Sequence, residues 1–523
     1  MQPARLLKKA SAPLALATAL VLVAAACVEP DLQGPEVSSP VLSTATPTPE
    51  ITATAAPGPT AAPVIPGIGE EVIRIGVIAD GSDGNVVTDG SEAAWLAMRA
   101  WAQSVNDSGG LGGRDVEVVL IDASVFDHRA AIQQACRGDI FALVGSYALF
   151  DGDGVDILND DSCRLPDFPA AALSPARRDS PVTFVSNPIS SDRWQAGPAQ
   201  FLSEQFPLAA AAVGTVVLDL PMSFYRAERE IEAATEGGFT FTFQTSADIN
   251  EDYGAIAVAL LEEEVRAISW SADSRRLLEL LEARAELIAQ LPLPPAAAEE
   301  PDEQTPGDPE EEPPSDEDEP EPEPEPEGEP EPEPEQEGFP RDLTFVHCPM
   351  DCYSRSWANE VGELGSNIWV SIGMLPFEES GENAALVEYL FYLTQVDPDG
   401  DPEAGLELIG LSSWASALLF EQAVNQAMFT SGGGLTRELV IEAAGTITEW
   451  DGRGLHGPTN PAEGIPSPCF VLMTPTPGGW IRRHPLTQGT MDCDADNLVE
   501  LTASATLGMD PSGPGPAEPS GTR

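Results

Sequence analysis

Lysine is missing from the chain after Lys9, and histidine occurs only four times. Lys and Arg together number 25 against 86 Asp and Glu, a formal charge of −61. A protein held to nucleic acid by phosphate contacts needs clustered cations, so this balance excludes that class of partner. The histidines (His128, His347, His456, His484) are scattered, and no Ser/His/Asp or HExxH arrangement is present. No CxxC pair exists either, which argues against a zinc site. Residues 151–161 and 397–407 evoke calcium loops, but they place Ser162 and Leu408 where the twelfth, bidentate Glu is required. No enzyme activity, cofactor or metal is expected. Long apolar runs are equally scarce: after residue 26 nothing approaches the roughly 20 residues of a transmembrane helix.

What is present first is a leader. Arg5, Lys8 and Lys9 precede an apolar run over residues 14–26, with Ala24, Ala25 and Ala26 directly before Cys27. This resembles the lipobox cut by signal peptidase II, which would leave residues 1–27 as a signal and Cys27 as the acylated residue of an extracytoplasmic protein held at the outer face of the membrane or in the periplasm. Residues 28–70 are rich in Pro, Thr, Ala and Ser, too poor in large apolar side chains to offset chain entropy, and are expected to form a disordered tether. A second block, residues 296–339, holds 21 Asp and Glu without Lys or Arg, much of it alternating Glu and Pro, and is expected to be a disordered surface insertion. Residues 501–523 are expected to be a disordered tail. Six cysteines remain after Cys27, an even number suited to an oxidising compartment. Neighbourhood in the sequence pairs Cys136 with Cys163, Cys348 with Cys352, and Cys469 with Cys493, one of fifteen connectivities.

The rest alternates short β runs with helical ones, the sign of an α/β fold with parallel sheets. Residues 73–78 (IRIGVI) are a buried-strand run, and residues 91–106 place Ala94, Ala97, Met98, Trp101 and Val105 on one helical face. A strand over 116–122, a helix over 130–136, a strand over 141–146, a helix to about 159, the run FPAAALS (168–174) and a strand near 182–185 complete a first series. A second begins near residue 212: strand 213–220, helix 224–235, strand FTFTFQ, helix 253–264, strand RAISW, helix 274–290, the acidic block, then strand LTFVHC. Two such series predict two lobes, with ligands at the carboxyl ends of the strands.

On these segments the chain resembles a known family. IRIGVIADGS, a helix, and VNDSGGLGGRDVEVVLID are similar to the opening of type I solute-binding proteins, the leucine/isoleucine/valine-binding-protein-like receptors of ABC importers. Asn106, Gly109, Gly110, Gly113 and Arg114 fill the family's N-x-x-GG-x-x-G-R/K turn, where glycines permit positive φ. FALVGSYALFDG, FPAAALSPA, VVLDLPMSFYRAERE, GLSSWASALLFEQAVNQA and the segment from LTRELVIEAAG to GGWIRR follow the family's later motifs in order, so the likeness spans about residues 71–483. The resemblance implies two doubly wound parallel-sheet lobes joined by a three-strand hinge. Residues 71–187 and 373–455 would form the first lobe and residues 188–372 and 456–500 the second, with crossings near 186–192, 372–376 and 455.

The same resemblance implies a ligand cleft. The first lobe would present Asp80, Ser82, Ser146, Tyr147, Ala172 and Ser174, with Ser146 and Ser174 either binding a ligand head or capping the following helices. The second would present Tyr225, Trp270 and Ser271 as ligand contacts or packing, with Asp351 and Tyr353 as weaker candidates. Two departures stand out: DGSDGN replaces the usual segment after the first strand, bringing Asp80 and Asp83 toward the cleft mouth, and Val185 replaces the usual Arg. The resulting expectation is a lipid-anchored solute-binding protein that closes on a small polar solute, an amino acid or a relative among the candidates, and passes it to ABC permease subunits. The alternative is a ligand-sensing or envelope interaction protein of the same fold without a transport role.

Overall fold

The structure, a computed structural model, describes residues 65–80, 89–219, 221–248, 252–290, 342–398 and 405–502. The expectations for Cys27, residues 28–64 of the tether, Ser82, Asp83, the acidic block and residues 503–523 of the tail therefore lie outside the described residues. Residues 65–70, expected in the tether, instead pack on the core, Ile68 bridging Ile73 and the Gly67 N–H donating to Asp139 (2.5 Å). At the other end the Leu501 N–H donates to the Asp192 carbonyl (2.7 Å). All described residues belong to one compact unit, which is built on two principal sheets.

The first sheet has the order β2-β1-β3-β4 and is parallel throughout. Its elements run β1 (Val72–Ala79), α1 (Asp89–Asp107), β2 (Asp115–Asp122), α2 (His128–Arg137), β3 (Ala142–Val144), α3 (Val155–Asn159), β4 (Asp167–Phe168) and α4 (Pro175–Arg178). Ile73, Ile75, Val77 and Ile78 of β1 are fully buried, as expected of a strand covered by helices on both faces. The turn from α1 to β2 depends on glycine: Gly109, Gly110, Gly112 and Gly113 have φ of 101°, 82°, 61° and 77°. A Cβ on Gly110 would lie 2.3 Å from the Arg114 carbonyl oxygen. Asn106 closes the turn, donating through Nδ2 to the Val116 carbonyl (3.0 Å) and accepting from the Val116 N–H (2.7 Å).

The second sheet has the order β12-β11-β10-β9-β8-β6-β7. Leading into it are β5 (Arg193–Gln195), α5 (Gly197–Gln205) and α6 (Pro207–Ala210). Then follow β6 (Val213–Leu218), α7 (Pro221–Glu236), β7 (Phe241–Ala247), α8 (Tyr253–Glu262), β8 (Ala267–Ser271), α9 (Ser274–Gln290), β9 (Phe345–Cys348), α10 (Arg355–Val361) and β10 (Ile368–Ile372). The chain next returns to the first sheet as α11 (Ala384–Val396), α12 (Leu408–Ser431) and α13 (Arg437–Ala444). Apolar on nearly every face, α12 buries Leu411, Trp414, Leu418 and Phe420 against α1, β3 and β4. Finally β11 (Val471–Thr476) and β12 (Gly479–His484) extend the second sheet antiparallel, and β13 (Leu498–Glu500) pairs with β5.

Three connections between the sheets lie side by side. Leu375 N–H donates to the Leu455 carbonyl (2.8 Å), Met374 bridges His456, and Asn187 donates to the Gly373 carbonyl (3.5 Å). A buried chain of hydrogen bonds runs through them. Trp450 Nε1 donates to Ser186 Oγ, Ser186 lies against His456 Nε2, and His456 Nδ1 meets the Gly457 carbonyl, each at 2.8 Å. A carbonyl only accepts, so His456 Nδ1 carries the hydrogen and Nε2 accepts from Ser186.

The disulfides join Cys136 to Cys163, Cys348 to Cys352 and Cys469 to Cys493. The strand expected near 182–185 is reduced to one bridge, Asp167 to Thr183. Around that bridge the Asp167 N–H donates to the Val182 carbonyl (2.9 Å) and the Phe184 N–H to the Asp167 carbonyl (2.8 Å). Of FPAAALS only Phe168 joins the sheet, as the last residue of β4, and Pro169 directly after it has no N–H to continue the ladder.

Candidate functional site: a cleft between two switch points

In each sheet one strand has its successors on opposite sides: β1 lies between β2 and β3, and β6 between β7 and β8. Such a reversal leaves a crevice beyond the carboxyl ends of the strands. Here the two crevices meet in a cavity of about 300 Å³. Tyr147, which follows β3, enters from the first lobe with Ala170, Ala171 and Leu173 after β4 and Leu408, Ile409 and Ser412 of α12. Trp270 and Ser269 of β8, His347 of β9, Ser371 of β10 and Arg226, Glu230 and Ala234 of α7 enter from the second. The connecting segments supply Asn187, Pro188, Ile189, Ser190, Gly373 and Met374.

The charges of the cleft are largely paired among themselves. Arg226 donates through Nε to Glu230 (2.7 Å) and through Nη2 to Asp351 (2.7 Å). Ser271 Oγ donates to the second oxygen of Glu230 at 2.6 Å. Burial alone would lower the Arg226 pKa, but Asp351 and Glu230 outweigh it and hold the guanidinium charged. Burial drives the Tyr147 phenol upward, with Asp351 adding to the shift, so it remains a protonated donor. Burial pushes His347 down to about 4, so its ring is neutral near pH 7. His347 Nε2 lies 2.9 Å from Ser371 Oγ, while Nδ1 has no partner among the described residues.

Of the expected ligand residues, Tyr147 and Trp270 line this cavity together, and Asp351 does too. Trp270 is almost wholly buried and donates through Nε1 to the Asp273 carbonyl (3.0 Å), so its one polar group is already committed. The others stand behind the wall. Buried Ser146 accepts from the Ile78 N–H (3.0 Å), and Ala172 is fully enclosed. Ser174 caps α4 by accepting from the Arg177 N–H. Buried Asp80 accepts from the Leu149 N–H (2.7 Å), its pKa raised by desolvation, and it does not line the cavity. Tyr225 has the guanidinium carbons of Arg178, on α4, and Arg229, on α7, each 4.9 Å from its ring centroid. This cation–π contact joins the two lobes. Ser271 is committed to Glu230, and buried Tyr353 donates to Glu378. In the acidic loop 151–161, Asp151 accepts from the Leu173 and Ser174 N–H groups (2.7 and 2.9 Å) and so shapes the cleft wall.

Sequence reasoning missed Arg226, Glu230, His347 and Ser371, and gave the connecting segments, which it located, no part in the cavity wall. Arg226 directly follows the singled-out Tyr225, and His347 closes a recognised strand, so position at a strand end was the available signal.

No family model and no curated protein matches this sequence. Solved structures do. A fatty acid ABC transporter substrate-binding protein from Thermomonospora curvata superposes with a TM-score of 0.59 at 15% identity, covering 83% of this chain and 95% of that one. A solute-binding protein of an ABC transporter from R. palustris, in complex with 4-hydroxybenzoate, gives 0.56 at 14% identity, with 79% and 96% covered. A leucine binding protein from Thermotoga maritima gives 0.55 at 13% identity, with 78% and 97% covered. With its two switch-point crevices facing one cavity, the chain has the fold of the type I periplasmic binding proteins.

Proposed function

We propose that the chain is an extracytoplasmic solute-binding protein that captures a small molecule between its lobes and presents it to ABC permease subunits. The lobes are taken as residues 71–187 with 373–455 and residues 188–372 with 456–500. The observation that carries this reading is the cavity itself: both lobes and the connecting segments line it, so a bound solute would tie the lobes together by hinge closure. The structural neighbours named above are substrate-, solute- or leucine-binding proteins, which agrees with this assignment. Capture requires no bond chemistry; the one hydroxyl–imidazole contact of the wall, Ser371 Oγ 2.9 Å from His347 Nε2, has no carboxylate orienting the ring among the described residues.

Membrane attachment through Cys27 belongs to the same reading. Incorporation of labelled palmitate is expected in the wild type and absent from Cys27→Ala; equal labelling of both would contradict it. Binding is tested by thermal shift on the full chain with a panel of amino acids, aliphatic and aromatic acids, amides and alcohols. A ligand at 100 times its Kd is expected to stabilise by about 2.7 kcal/mol. A panel without any saturable shift would count against solute capture.

A further inference from the structure

We infer that the cavity selects a mostly apolar solute carrying one uncharged hydrogen-bonding head, an alcohol or amide, which His347, Ser269 and Tyr147 receive. This rests on the solute-binding reading above. Three observations lead to it.

The first is charge. Although the chain carries 86 acidic residues against 25 Lys and Arg, the charged side chains lining the cavity are two cations and two anions: Arg193, Arg226, Glu230 and Asp351. Arg226 is spanned by both carboxylates, and Arg193 lies 3.9 Å from Glu500. An ammonium or carboxylate entering here would shed its water and meet charges already engaged with each other, an unfavourable exchange.

The second is the wall. Apart from those groups it is dominated by Ala, Leu, Ile, Pro, Met and Trp side chains, so most of a solute's surface would meet hydrocarbon.

The third is the polar recess on the second sheet. His347 is paired in register with Ser269 on β8, which puts both side chains on one face. The hydrogen bond at Nε2 is to Ser371, and no carboxylate among the described residues bonds the ring. Nδ1 is buried without a partner among the described residues. A neutral imidazole has one donor and one acceptor nitrogen. The unpaired Nδ1 leaves this recess one uncharged hydrogen bond short, and burial, which takes the pKa of the ring to about 4, keeps it neutral. Tyr147, from the other lobe, adds a protonated phenol. A site built around such groups rejects ligands that leave them unpaired.

The test is calorimetric titration of the full chain with five probes sharing an eight-carbon body: 1-octanol, octanamide, octanoate, octylamine and 2-aminooctanoate. Octanol and octanamide are expected to bind at least about tenfold tighter than the three charged probes. His347→Phe is expected to weaken octanamide about tenfold or more, and His347→Gln to restore it to within about threefold. Tyr147→Phe, which removes a single oxygen, serves as the second variant should His347→Phe fail to fold, with a loss of about threefold or more expected. If a charged probe binds tightest, the solute class is overturned and solute capture stands. If no probe binds, the solute class is overturned, and solute capture stands or falls on the thermal-shift panel. Unchanged octanamide affinity in a folded His347→Phe, or in Tyr147→Phe, overturns the role given to that residue.

Discussion

At the scale of single residues, a serine beside a helix start has two physical uses, and its sequence neighbourhood does not separate them. Ser174 accepts from the Arg177 N–H and Ser146 from the Ile78 N–H, so both hydroxyls hold the backbone behind the cleft wall. Ser174→Ala is therefore expected to cost about 1 kcal/mol of stability while leaving solute affinity within error; a Kd change with unchanged melting temperature would contradict this placement. Tyr225 was legible as an aromatic at a strand end, but not as a bridge, because its partner Arg178 lies 47 positions away in another lobe. Tyr225→Leu is expected to loosen the closed form by about 1 kcal/mol, read as a several-fold faster solute dissociation in stopped flow, with Tyr225→Phe near wild type. Equal rates for the leucine variant and wild type would remove the bridge from the account.

Among elements, those with strong local pattern were legible. The α9 helix spans the residues its apolar period predicted, and the glycine turn before β2 needs the φ values that its spacing implied. Strand 182–185 shrinks to a single bridge because its partner β4 is only two residues long, which periodicity within the segment does not reveal. The connecting segments were placed only by resemblance, and their hydrogen bonds were invisible, since Ser186 and His456 meet across 270 residues. His456 gives these connections a pH dependence. Burial pushes it down to about 4, against an unfolded value near 6.5. A depressed folded pKa means that this contribution is complete above about pH 6.5 and is lost as the pH falls toward 4. Protonation would also put a hydrogen on Nε2, which now accepts from Ser186. Melting temperature should therefore fall less steeply between pH 6.5 and 4 in His456→Gln than in the wild type, and parallel slopes would contradict the assignment. The acidic block falls between α9 and β9, in the second lobe's αβ connection. Since loop closure entropy grows only slowly with length, replacing residues 296–339 by a short Gly/Ser linker is expected to leave binding unchanged.

For the whole molecule, the net charge says much about solubility and little about the cleft, where cations and anions balance. The order of elements made the two-lobe architecture legible; the character of the cavity was not, because its walls come from at least six separate stretches of chain that only the fold brings together. The central claim is that solute binds between the lobes, in contact with both. The most direct measurement is calorimetric titration of the solute found in the screens into two obstructing variants, Ala171→Trp from the first lobe and Ala234→Trp from the second, each checked by circular dichroism for an intact fold. The account predicts that both variants lose binding. Wild-type affinity in either folded variant would contradict it.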